Sequence, residues 1–227
     1  MIDKCTTKSW ETSLYEPQQL YYNLMGEKIL TDKNVKSAYY MAKHKKSCDS
    51  PAWDGMTRTI LVDGMEPEHA WSLIRYHVLH GPSGCVKRFD IPKSNGKTRP
   101  ISIYPLLDRV AQWCIMEPLR KACGPLLSPI NHAFLKGKSC KTAFEAFPPA
   151  GEASYVICGD IHSFFDTVSH SLVRACLWSA GIRDSQLLHT INVTLKTPYK
   201  YPKQPKVRPE QGLPQGCLLY TSPSPRD

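Results

Sequence analysis

Apolar residues recur at helical spacing along much of this 227-residue chain, with two or three β-type stretches between. Residues 14–46 read as an amphipathic helical region, which Ser47-Cys-Asp-Ser-Pro51 interrupts. Trp53-Asp-Gly-Met-Thr57 reads as a turn. Glu66 to Leu79 reads as a helix whose Pro67 suits the first turn, with Trp71, Ile74 and Val78 along one face. Leu106 to Ala122 is the clearest helix. Val110, Trp113, Cys114, Met116 and Leu119 fall in register there until Gly124-Pro125 stops the pattern. Ser139 to Phe147 is a further helix, Ser169 opens one that runs to about Ala180, and Asp184 caps one that ends near Lys196.

Val86 to Ile91 and Thr98 to Ile103 read as strands, joined by Pro92-Lys-Ser-Asn-Gly-Lys97, whose Asn-Gly is a hairpin signal. Tyr155 to Ile161 is a continuous apolar run, expected to be a strand central in its sheet. The Pro- and Lys-rich segment Pro198 to Pro209 reads as an exposed ribbon or loop.

Charge sharpens this picture. The formal net charge is +9 and the isoelectric point about 9.1. Between Cys85 and Lys141 eleven Lys and Arg face three acids, so that segment carries +8 and suits a polyanionic partner. Nine cysteines stand at 5, 48, 85, 114, 123, 140, 158, 176 and 217, without Cys-x-x-Cys or zinc spacing. An odd, scattered set points to reduced thiols and a cytoplasmic location. No apolar run approaches the roughly 20 residues that span a bilayer. The first ten residues hold no apolar core of a secretory signal, and no membrane partner is expected.

The candidate chemistry centres on Tyr155-Val-Ile-Cys-Gly-Asp-Ile-His-Ser-Phe-Phe-Asp-Thr-Val-Ser-His170. The apolar run delivers Asp160 at its end, and a carboxylate on a rigid strand is a hard-metal ligand. Phosphoryl transfer needs such groups to hold two Mg²⁺ ions. Taken alone, Asp-x-x-Phe-Phe-Asp is more often a cap or turn, the role expected of Asp166. Phe164 reads as core. Phe165, five residues past Asp160, could set an aromatic wall against a nucleotide sugar. In the hairpin, Lys93, Lys97 and Arg99 are suitable triphosphate partners, Arg99 being stiffened by the following proline. Gly212-Leu-Pro-Gln-Gly216 can bring its backbone close to a substrate, with Gln215 as an uncharged polar tip.

In order along the chain these motifs resemble reverse transcriptases of the bacterial group II intron type. Trp53-Asp-Gly-Met-Thr57 looks like the Asp-Gly-hydrophobic motif ahead of the fingers. Ile91-Pro-Lys, Gly96-Lys-Thr-Arg-Pro100 and Asp108-Arg-Val-x-Gln112 look like the fingers hairpin and the helix after it. His132-Ala-Phe-Leu-Lys-Gly-Lys-Ser139 is similar to a Gly-Phe-Arg-x-Gly-x-Ser stretch. Asp160 to His170 is like the first catalytic motif, and Leu213-Pro-Gln-Gly216 is like the segment before the catalytic hairpin.

The resemblance implies a mixed α/β (α+β) fold, the fingers and partial palm of a right-hand polymerase. It implies a helical extension over 1–50, fingers over 51–150 and partial palm over 151–217. It also implies that Asp160 and the Ile161 carbonyl bind metal, with Mg²⁺ as cofactor. Phe165 would gate the sugar, Lys93, Lys97 and Arg99 would face the triphosphate, and Gln215 would lie near the nucleotide. Lys136, Lys138 and Lys141 are the expected RNA contacts. Expected partners are an RNA template and primer, intron RNA and deoxynucleoside triphosphates.

Two departures stand out. His132-Ala-Phe134 and Leu135-Lys136 differ from the usual residues there. After Cys217 the chain reads Leu-Leu-Tyr-Thr-Ser-Pro-Ser-Pro-Arg-Asp227, without the expected Tyr-x-Asp-Asp hairpin. Residues 218–227 therefore read as an artefactual tail, of the kind that translated sequencing adapter leaves, and a chain truncated so is expected to be inactive. The alternatives are a retron or phage-defence reverse transcriptase and a non-catalytic RNA-binding module.

Overall fold

The computed structural model describes residues 19–92, 96, 98–133, 135, 137–147, 155, 157–159, 161 and 163–213. After a single π-helical turn at Met25–Ile29, α1 (Asp32–His44) begins where the Thr31 hydroxyl accepts the Asn34 N–H. Thr57 opens α2 (Arg58–Val62) in the same way. α3 (Pro67–His80) has its proline in the first turn and ends at Gly81, whose φ of 77° favours glycine. β1 (Val86–Pro92) and β2 (Thr98–Ile103) pair antiparallel and lead into α4 (Leu106–Cys123).

Beyond α4, Ser139 and Thr142 form a reciprocal capping box at α5 (Cys140–Glu145). α6 (Phe164–Thr167), α7 (His170–Ser179) and α8 (Ser185–Leu195) follow, and β3 (Tyr199–Lys200) adds to β1 in parallel. The sheet order is β2-β1-β3. These elements are a mixed helix and sheet architecture, as expected.

One apolar core joins residues from Leu24 to Leu195. Val35 and Ala42 of α1, Ile74 and Val78 of α3, Val110 and Cys114 of α4 and Leu187 of α8 are fully buried in it. Deep burial of the Cys114 thiol pushes its pKa up to about 12. Every residue from Leu106 to Met116 is buried, so α4 is enclosed on all sides although it carries Asp108, Arg109 and Gln112. Those polar groups hold its neighbours. Asp108 Oδ1 lies 2.6 Å from His77 Nδ1 on α3. Arg109 donates to the carbonyls of Ser47 (2.8 Å) and Ser50 (3.0 Å), fixing the turn before α2. Burial lowers the Arg109 pKa, though not to a range in which the guanidinium loses its proton.

Arg109→Ala strands two inward carbonyls and removes a buried stem. We expect it to lower unfolding free energy by about 2–4 kcal/mol in urea titrations. A loss under about 0.5 kcal/mol would show that the turn holds without it.

Pro118 sits inside α4 and cannot donate to the Cys114 carbonyl. Asn34 replaces that donor: its Nδ2 lies 2.8 Å from the Cys114 carbonyl and 2.8 Å from that of Ile29. The N-terminal turn is tied at its other side too. Asp184, buried, caps α8 through the Leu187 N–H (3.0 Å) and accepts the Met25 N–H at 2.7 Å.

Three sequence expectations need correction. The helical region over 14–46 breaks at Leu30–Thr31, where a new cap starts α1; residues 14–18 lie outside the described set. The expected central strand over Tyr155 to Ile161 is not formed at its described positions. Tyr155, Ile157, Cys158, Gly159 and Ile161 have no regular structure and are exposed. An apolar run becomes a central strand only with partners on both sides, and the described strands pair only with one another. Phe164 is 43% exposed and not core, because α6 is a four-residue turn that directs it outward.

Candidate functional site

Two distant motifs are clasped by backbone hydrogen bonds. The Leu213 N–H donates to the Phe165 carbonyl at 2.6 Å, and the Gly212 N–H donates to the Val168 carbonyl at 2.8 Å. A bridge between Ser169 and Gln211 continues the pairing. Buried His170 completes it: Nε2 lies 3.0 Å from the Gly212 carbonyl, which can only accept, so Nε2 carries the proton.

Glycine is required at 212. Its φ is 86°, and a Cβ there would lie 2.9 Å from the Asp166 carbonyl oxygen and 3.0 Å from that of Phe165. This glycine therefore lets Phe165–Ser169 and Gln211–Leu213 run side by side.

Beside the clasp lies a cleft of about 310 Å³, lined by Arg88, Phe165, Asp166, Tyr199 and the chain from Val207 to Leu213. Phe165, half-buried, meets Phe164 edge to face at 5.5 Å and turns toward this cleft. Asp166 lies in the single turn of α6 that precedes α7, while the cap of α7 is Ser169. The Asp166 carboxylate lies 3.7 Å from Arg88 Nη2. The Arg88 guanidinium stacks 4.4 Å over the Tyr199 ring, and its Nε has no hydrogen-bond partner among the described residues. A cation held against an aromatic wall beside a cleft attracts an anion.

Strand register decides which basic residues reach this cleft, since neighbours along a strand alternate faces and paired residues share one. Arg88 and Asp90 share a face with Val86 and its partner Tyr199. Tyr201, from the same side, donates its hydroxyl to Asp90 at 3.2 Å. Lys87, paired with Ile103 and Lys200, takes the other face. Arg99 pairs with Ile91 and falls on the Lys87 face. The structure thus brings Arg88 to Phe165 and does not bring Arg99 there.

Asp160, Lys93, Lys97, Lys136 and Gln215 lie outside the described residues. Ile161 is 67% exposed. Lys138 and Lys141 are exposed at the start of α5, and Lys141 lies 3.8 Å from Glu145. Among the described residues no three His, Cys, Asp or Glu side chains gather as a metal site, and no described helix is long and apolar enough to cross a membrane.

Arg88 is the site residue that sequence reading missed. The strand was legible, but its alternation could not show which face would meet a helix 78 positions later. His170 was visible as a motif member, and only its contact with Gly212 gives it a role.

The sequence pattern of the family described as "Reverse transcriptase (RNA-dependent DNA polymerase)" matches residues 91–224. The chain is 30% identical over 135 residues to the Saccharomyces cerevisiae "Putative COX1/OXI3 intron 1 protein", covering 59% of this chain and 16% of that one. It is 28% identical over 182 residues to Escherichia coli "Protein YkfC", covering 77% and 47%. It is 29% identical over 140 residues to the Lactococcus lactis "Group II intron-encoded protein LtrA", covering 59% and 22%. The chain thus spans from 16% to 47% of the length of these relatives. With more than half of its residues inside the family pattern, the chain belongs to the reverse transcriptase family.

Proposed function

We propose that this chain carries the fingers and part of the palm of an RNA-directed DNA polymerase of the group II intron type. Its working partners would be an RNA template and primer, deoxynucleoside triphosphates and the intron RNA it helps to splice. The observation that supports this most is the clasp between Phe165–Val168 and Gly212–Leu213, which sets an aromatic ring, an arginine and a close-approaching glycine backbone around one cleft.

Each group has a task in that reading. Asp160, with the Ile161 carbonyl, offers hard oxygen donors that suit a divalent cation of the Mg²⁺ kind better than a soft metal. The bound ion would supply charge stabilisation for phosphoryl transfer. Phe165 lies against the sugar. Lys93 and Lys97, by motif, and Arg88, by position, neutralise the triphosphate; Arg99, on the opposite face of the sheet, takes no part at this cleft. Gln215 offers a neutral hydrogen-bonding tip beside the nucleotide. Lys136, Lys138 and Lys141 contact RNA phosphates.

The test is sugar discrimination by the protein as its gene encodes it. Phe165→Ala should retain deoxynucleotide incorporation and raise ribonucleotide incorporation at least about tenfold relative to it, because the ring that meets a 2′-hydroxyl is gone. If Phe165 only packs, truncation costs about 3–5 kcal/mol of stability. Both activities then fall together with an unchanged ratio, and the gate assignment fails.

A further inference from the structure

The sheet face opposite the Phe165 cleft carries a second constellation. Trp53, in the loop before α2, is 43% exposed. Lys87 Nζ lies 5.7 Å from its ring centroid and Lys200 Nζ lies 5.5 Å from it, one from each of two adjoining strands. Lys206 lines the same hollow of about 300 Å³, with Gly84, Cys85 and Pro105.

The placement of the lysines follows from pairing. Tyr199 and Val207 exchange both backbone hydrogen bonds at 2.9 Å, which folds 199–207 into a short ribbon. Lys200 and Lys206, the next positions inward, then stand across from each other on one face. That face is the one shared with Lys87. Lys203, at the ribbon's turn, has a φ of 61° and is exposed. The one acid in the hollow is Asp54, whose Oδ1 accepts the Met56 N–H at 3.3 Å. Three cations against one acid leave net positive charge at a partly exposed indole, and the two ammoniums over its ring sit on flexible stems that can swing to flanking phosphates when a base takes the ring face. Arg99 extends the same face, four residues along β2 from the position that pairs with Lys87, or about 13 Å.

We propose that Trp53, framed by Lys87, Lys200 and Lys206, is a stacking platform for a base of single-stranded RNA. An exposed indole offers a π-face to any base, and lysines around it meet the flanking phosphates, which is the chemistry of sequence-tolerant single-strand binding. Duplex RNA keeps its bases stacked inside and cannot use the ring. Naming the strand as template rests on the polymerase reading; the binding itself rests on this face alone.

The experiment measures affinity of the chain for a 5′-fluorescein 12-nucleotide RNA without secondary structure, and for the same sequence as a blunt duplex, by anisotropy across a salt series. Trp53→Ala should weaken single-strand binding by about 5- to 150-fold, the range for loss of one stacked base. Trp53→Tyr should stay within about threefold of wild type, and duplex affinity should barely move. Lys200→Ala with Lys206→Ala should flatten the slope of log affinity against log salt by about 1.4, for two lost phosphate contacts on a single strand.

Unchanged single-strand affinity in Trp53→Ala, or an equal loss on duplex, would overturn the platform. So would an unaltered salt slope in the double lysine variant, which removes one half-buried and one exposed lysine outside the apolar core and stays informative if the tryptophan variant misfolds. Equal affinity for polyglutamate would reduce the face to a general polyanion surface and also overturn it. Sugar discrimination at Phe165 is read on nucleotide incorporation, so either result can fail while the other stands.

Discussion

Asp160→Ala, placed in the protein as its gene encodes it, should abolish RNA-templated primer extension while leaving RNA affinity within about twofold of wild type. On the proposed reading the substitution removes a carboxylate that would hold a divalent cation and leaves in place every lysine and arginine proposed to meet phosphate. Metal-borne charge stabilisation contributes several kcal/mol to phosphoryl transfer, so the rate should fall at least about a thousandfold, or roughly 4 kcal/mol. Folding should be unaffected, because a lone carboxylate that awaits a metal contributes little to stability without it. Parallel measurements of extension, RNA binding and melting temperature separate the cases. Retained extension would remove Asp160 from the chemistry. Loss of extension with an equal loss of RNA binding or of melting temperature would make it a structural residue.

Gly212→Val should have the opposite profile. It loads a side chain onto a backbone with φ of 86°, within 2.9 Å of the Asp166 carbonyl oxygen in α6. A left-handed β-branched residue costs about 2 kcal/mol before the clash is counted. The clasp should open, with the 2.6 Å and 2.8 Å hydrogen bonds from Leu213 and Gly212 lost together. Hydrogen exchange should show both amides unprotected, and extension should fall more than tenfold because Phe165 is no longer held against Gly212 and Leu213. Gly212→Ala should show the same direction with a smaller loss. Full protection of both amides in Gly212→Val would mean that the clasp does not depend on this glycine.

Most of the longer helices were legible because local signals set them. Ser139, Ser169 and Asp184 each cap the helix that follows, and Gly81 closes α3 where its sequence pattern ends. Thr31 and Thr57 cap α1 and α2 in the same way, but the first lies inside a continuous amphipathic pattern and the second opens a helix of only five residues, so neither start was read from the sequence. The hairpin was legible from Asn95-Gly96 between two β-type runs. Tyr155 to Ile161 shows where local reading stops: hydrophobicity states that a segment can be buried, and only partner strands decide whether it is. The motif Asp108-Arg-Val-x-Gln112 shows a different limit. Its charged residues suggest chemistry, yet they are enclosed in α4 and hold α3 and the 47–50 turn in place. In the site, Phe165 and Gly212 could be picked out as types. Their hydrogen-bonded union, and the arrival of Arg88 on the same side of the sheet, depend on contacts across more than forty positions that no spacing encodes.

The central claim is that this fold copies RNA into DNA. It is tested most directly by incubating the protein as its gene encodes it with a DNA primer on an RNA template, a divalent cation and one deoxynucleoside triphosphate at a time. The account predicts a single added nucleotide only when that triphosphate complements the next template base, with loss of the product when the cation is chelated. Addition regardless of the template base, or no addition by a folded protein that binds the primer–template, would contradict it.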